Sequence, residues 1–140
     1  MKNIKLLLLF VLLATSTNLF AQKKQHKIVF QFTNANDTMQ QKAFVKQLEN
    51  LTEYWPKAKY EVVLYNQGIE LLMITNTFYL ERLTALKNKG VQFLICENTL
   101  KNRKLSKDIF VKELVAYIPA GIAEIVEKQE QGWSYIKGGF

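Results

Sequence analysis

Five apolar runs alternate with stretches of helical period, and that alternation leaves the chain few architectures. Lys27–Thr33 (KIVFQFT), Tyr60–Tyr65 (YEVVLY), Val91–Cys96 (VQFLIC), Glu113–Ile118 (ELVAYI) and Trp133–Lys137 (WSYIK) are rich in β-branched and aromatic residues and read as strands. After the first, Phe44, Leu48 and Leu51 recur three or four apart while Lys42, Lys46 and Glu49 fall elsewhere, giving a helix with one apolar stripe and one wet face. Asp37 is placed to cap that helix and Pro56 to close it. A second helix, capped by Thr75 or Asn76 and stopped by Gly90, carries Phe78, Leu80, Leu83 and Leu86. Leu105–Asp108 predicts a short capped turn or helix. Pro119-Ala120-Gly121 opens another helix with apolar Ile122, Ile125 and Val126, ended by Gly132, and Gly138-Gly139-Phe140 reads as a free end. Repeated strand–helix units predict an α/β fold with a mostly parallel sheet and helices on both faces.

The 140 residues suit one domain. Met1–Ala21 reads as a secretory signal peptide: Lys2 and Lys5, the unbroken apolar run Leu6–Ala14, a polar stretch, then Ala21 before the expected cut. That run falls well short of the roughly 20 residues of a membrane-spanning helix. No cysteine stands at the cut to carry a lipid anchor. The expectation is therefore an exported, periplasmic domain over residues 22–140, with no stable membrane span.

Loss of Lys2 and Lys5 lowers the formal charge from +7 to +5. The remaining basic residues are scattered apart from Lys101, Arg103, Lys104 and Lys107, with no interleaved aromatics. That is the pattern of a solvated surface rather than a nucleic-acid-binding one.

Cys96 is the sole cysteine, so no disulfide forms within the chain. It stands at the carboxyl end of its strand, where α/β sheets gather ligands. A helix beginning at Glu97 would aim free N–H groups at the sulfur, and Lys101 and Arg103 would favour thiolate if they folded back, whereas Glu97 would oppose it. Two readings stay open: a reactive thiol, or a buried sulfur acting as a small apolar group. His26, the sole histidine, lies in a Gln/Lys-rich lead expected to be too disordered to pair with Cys96. One cysteine and one histidine make no zinc site, and no glycine-rich phosphate loop is present. No metal or cofactor is expected. Asn66, Gln67 and Gly68 follow the second strand and share the sheet end with Cys96. Gly68 there either admits a ligand close to the backbone or makes a positive-φ turn. Trp133 and Tyr135 either roof a site or pack in the core or a subunit contact.

Four stretches carry a family resemblance: VVLYNQGIELL (Val62–Leu72), GVQFLICENTLKNR (Gly90–Arg103), VAYIPAGIAEIVEKQEQGW (Val115–Trp133) and SYIK (Ser134–Lys137). In their order the chain resembles the DsrE/DsrF-like family, linked to intracellular sulfur oxidation and sulfur relay. The strand with its cysteine and the following Asn98-Thr99 is the most specific part, reinforced by Pro119-Ala120-Gly121 and by Gly132-Trp133. The resemblance implies a three-layer α/β sandwich assembled into homotrimers or homohexamers. It implies that Cys96 accepts sulfane sulfur as a persulfide from one thiol partner and passes it to another. Asn66, Gly68, Asn98, Thr99, Gly121 and Trp133 become the candidate substrate-binding residues. The alternative is a noncatalytic oligomeric module of the cell envelope that binds a small ligand or a protein.

Overall fold

In the computed structural model, which describes residues 25–76 and 78–140, five strands form one sheet in the order β4-β3-β2-β1-β5. They are β1 (Lys27–Phe32), β2 (Lys59–Leu64), β3 (Val91–Cys96), β4 (Val115–Ile118) and β5 (Ser134–Lys137), and every ladder is parallel. The helices are α1 (Thr38–Tyr54), α2 (Leu80–Asn88), α3 (Glu97–Arg103) and α4 (Gly121–Glu130), with 3-10 turns at Asn66–Leu72 and Lys107–Ile109. None of the described helices is long and apolar enough to cross a membrane. The expected signal peptide, Met1–Ala21, lies outside the described residues.

Successive side chains along a strand point to opposite faces, which sorts the core into two unequal parts. Ile28, Phe30 and Phe32 of β1, Tyr60, Val62 and Leu64 of β2, and Val91, Phe93 and Ile95 of β3 belong to one large apolar core, together with Phe44, Val45 and Leu48 of α1 and Leu83 and Leu86 of α2. Phe44 stacks on Phe32 at 4.3 Å between ring centroids and meets Phe30 edge-on at 5.9 Å. Such pairs add roughly 0.5–1.5 kcal/mol each beyond area burial. The other face lies under α4 alone, where Val29, Val63 and Ile125 are buried and Tyr65, Ile118 and Trp133 pack around them. Helix, sheet and helix make the three layers.

Asp37 caps α1, its carboxylate accepting the Met39 N–H at 2.8 Å, and the helix ends before Pro56. Elsewhere the local expectations give way to tertiary contacts. The side chain of Asn76 donates to Gln41 and to the Glu70 carbonyl instead of capping, so α2 starts only at Leu80 and Phe78 is left 83% exposed. Ile122 and Val126 point outward from α4, and Pro119 precedes its cap residue rather than standing in its first turn. The final residues are no free end. Gln47 brackets Gly139 through its N–H and C=O, Gln40 does the same for Phe140, and Gly138 is buried where a Cβ would sit 2.5 Å from the Phe44 ring.

Candidate functional site

Position 96 follows Ile95, whose side chain enters the large core, so the Cys96 side chain falls on the α4 face. Its backbone is the cap residue of α3 and pairs with Ile118 of β4. β4 therefore brings the Pro119-Ala120-Gly121 turn directly beside the sulfur, and the Gly121 N–H, at the head of α4, donates to Cys96 Sγ at 3.2 Å. Gly121 leaves little room to spare at that approach. A Cβ there would stand 3.1 Å from Val63 Cγ1, 3.3 Å from Cys96 Cβ and 3.3 Å from the Tyr65 ring.

Thr99, one turn into α3, is buried beside the sulfur, and its hydroxyl accepts the Asn66 N–H at 3.2 Å. The Asn98 N–H donates to the Pro119 carbonyl at 3.2 Å, tying α3 to the turn before α4. Burial pushes the Cys96 thiol up. The Gly121 N–H, the backbone and hydroxyl of Thr99 and the backbone of Asn98 oppose burial and hold the thiol below its ordinary value. Cys96 is thus 6% exposed, with the Gly121 N–H donating to its sulfur.

The charges expected around it are arranged differently. Arg103 turns away, donating to the Asn66 carbonyl at 3.0 Å and to Glu70 at 2.7 Å, and Glu97 pairs with Lys107. Neither Lys101 nor Arg103 acts on the sulfur. Donors from the backbone and Thr99 do that work instead. His26, far from being loose, stacks on Trp55 at 4.4 Å, and its carbonyl accepts from Lys59 at the amino end of β2. It is remote from Cys96 because all the strands run in parallel.

Of the candidate ligand-contacting residues, Asn66, Asn98, Thr99 and Gly121 converge on Cys96 or on its direct partners. Gly68 is close by in sequence but faces elsewhere. An added Cβ would lie 2.0 Å from the Phe32 carbonyl oxygen, so its small size seats the 3-10 turn on the end of β1, and the positive φ of the turn (50°) falls on Asn66. Trp133 is not part of this cluster. It immediately precedes β5, so it stands at the amino end of the sheet, with Lys128 Nζ 4.7 Å from its ring centre. The strand order reverses between β1 and β5, two strands away from Cys96.

Two clusters on the same face escaped the sequence. Gln31 donates to the Tyr65 hydroxyl and accepts from the Tyr135 hydroxyl, forming a polar row across β2, β1 and β5. Glu61 lies buried against Lys128 and Glu124. The lone acid within the otherwise apolar YEVVLY was the signal for the second. Among the described residues no group of three or more His, Cys, Asp or Glu side chains is placed to hold a metal ion.

The model of the DsrE/DsrF-like family matches residues 11–137. Among solved structures, the chain is similar to the protein of unknown function MTH1491 from Methanobacterium thermoautotrophicum. The two share 27% identity with a TM-score of 0.74, over 81% of this chain and 99% of that one. It also resembles the conserved protein of unknown function BT1422 from Bacteroides thetaiotaomicron in fold, at 16% identity and a TM-score of 0.61, over 79% and 93% of the two chains. No curated protein matches.

Proposed function

The chain belongs to the DsrE/DsrF-like family, and from that premise we propose that it is a sulfur carrier working through a persulfide on Cys96. The observation that carries this reading is the Gly121 N–H donating to Cys96 Sγ at 3.2 Å. Together with Thr99 and Asn98 it offers a negative sulfur partners that an inert core sulfur does not need. In loading, the Cys96 thiolate attacks the outer sulfur of a donor persulfide, R–S–SH. A new S–S bond forms at Cys96, the donor's S–S bond breaks, and the donor leaves as a thiolate that takes up a proton. Unloading repeats the exchange toward an acceptor thiol, with no net oxidation and no metal or nucleotide. Export of the domain by residues 1–21 and assembly into a homotrimer or homohexamer belong to the same proposal.

The test is intact mass after incubation with glutathione persulfide. Wild type should gain one sulfur atom, removable by dithiothreitol, and Cys96→Ser should gain none. Equal gain by the two proteins would sink the proposal. The 6% exposure of Cys96 favours a second reading, a noncatalytic binding module in which the sulfur is lining. That reading expects wild type to stay unloaded and Cys96→Ser to retain the binding partners of wild type in pull-downs.

A further inference from the structure

At the end of the α4 face remote from Cys96, a cavity of about 330 Å³ lies between the amino ends of β2 and β3 and the last turns of α4. Its lining includes Lys59, Glu61, Gln92, Lys128 and Trp133. Glu61 is 3% exposed, an unusual place for a carboxylate. Its Oε2 receives Lys128 Nζ at 2.7 Å, and the same ammonium reaches Glu124 Oε1 at 3.2 Å. One cation thus serves two carboxylates. Glu61 Oε1 is buried and receives no hydrogen bond from the described residues. Burial, and then the neighbouring Glu124, raise the Glu61 carboxyl above its ordinary range, against the pull of Lys128. With both carboxylates ionised, two negative charges on one ammonium leave the floor with a net negative charge.

The rim has the opposite sign. Lys59 is two residues before Glu61 on β2, hence on the same face, and it is exposed and forms no ion pair among the described residues. Two residues along a strand span roughly 6–7 Å. A simple cation would meet the floor favourably but face Lys59, and a simple anion would meet Lys59 but face Glu61. A molecule carrying both charges a few bonds apart satisfies both ends.

We propose that this cavity binds a small amino-acid zwitterion, its ammonium held by the Glu61 carboxylate, its carboxylate meeting Lys59, and its chain lying along Gln92 and Trp133. The site is independent of sulfur transfer. Probes are glycine and 4-aminobutyrate as zwitterions of two lengths, with butylamine and butyrate as single-charge controls. Titration of the 15N-labelled protein should show saturable shifts of the Trp133 indole N–H and the Gln92 amide with at least one zwitterion. Butylamine and butyrate should bind at least tenfold more weakly. Glu61→Gln should weaken zwitterion binding at least tenfold. Lys59→Ala, an exposed change that leaves the core untouched, should weaken it about threefold or more, and Cys96→Ser should leave it unchanged. Absence of saturation by both zwitterions, equal affinity for the single-charge probes, or wild-type affinity in Lys59→Ala would overturn the proposal.

Discussion

Under α1 and α2, Phe30, Phe32, Phe44, Leu48 and Phe93 pack into one continuous apolar core. Under α4 the buried apolar group is small, Val29, Val63 and Ile125, and it is bounded by Cys96 toward one end of the sheet and Glu61 toward the other. One face is built to stay folded. The other holds groups that apolar packing alone does not explain: a sulfur among donors, two carboxylates on one ammonium, and the Tyr65–Gln31–Tyr135 row. The difference separates the residues that carry stability from those free to carry chemistry.

That contrast can be broken by measuring stability on both sides with urea denaturation. Phe44→Ala removes the ring at the centre of the large core and should cost about 3–5 kcal/mol. Lys128→Met should cost about 3 kcal/mol at neutral pH, because it leaves the buried Glu61 carboxylate without its cation. The sign of its pH dependence follows from the raised Glu61 carboxyl. Stability from a raised group is present below the ordinary carboxylate range and lost as pH rises through the folded value, so the deficit of Lys128→Met should shrink on acidification. A deficit that grows as pH falls would show that Glu61 is not its source. Ile125→Ala, at the thin face, should cost about 2 kcal/mol, the low end for an aliphatic truncation. If it matches Phe44→Ala, the two faces are equivalent and the contrast fails.

The smallest effect is expected on the outer side of the thick layer. Arg82 holds Glu49 through two hydrogen bonds of 2.7 Å, but both side chains are partly exposed. Arg82→Ala should cost under about 1 kcal/mol. Hydrogen bonding from Arg82 holds the Glu49 carboxyl below its ordinary range, so this contribution is present at neutral pH and lost as pH falls through the folded value. Equal stability differences at neutral and strongly acidic pH would show that the ion pair contributes nothing.

The thick face was readable in the sequence because it obeys period alone. The stripe of Phe44, Leu48 and Leu51 fixes which side of α1 meets the sheet, the β-branched and aromatic run KIVFQF marks β1, and β3 was placed at its observed bounds, Val91–Cys96. The thin face was readable only where order along the chain sufficed. Cys96 at the carboxyl end of its strand follows from that order, and so does the nearness of Asn98 and Thr99. The donation from Gly121 depends on β4 pairing with β3, a contact between residues 25 apart in the chain. Trp133 stands apart from Cys96, and the order of elements already implied it, since a residue preceding a parallel strand lies at the end opposite Cys96. Lys101 and Arg103 are a different case. Long cationic side chains are drawn to whichever partners the fold supplies, and Asn66 and Glu70 took Arg103.

The central claim is that donors at the α4 face hold the Cys96 thiol below its ordinary value despite its burial, and the pH profile of its alkylation by iodoacetamide tests this most directly. The donors around the sulfur predict a single titration with a midpoint below that of an unperturbed cysteine, measured against a short cysteine peptide in the same buffer. A midpoint at or above the peptide's would mean that burial dominates, and Cys96 would then be a core sulfur rather than a carrier.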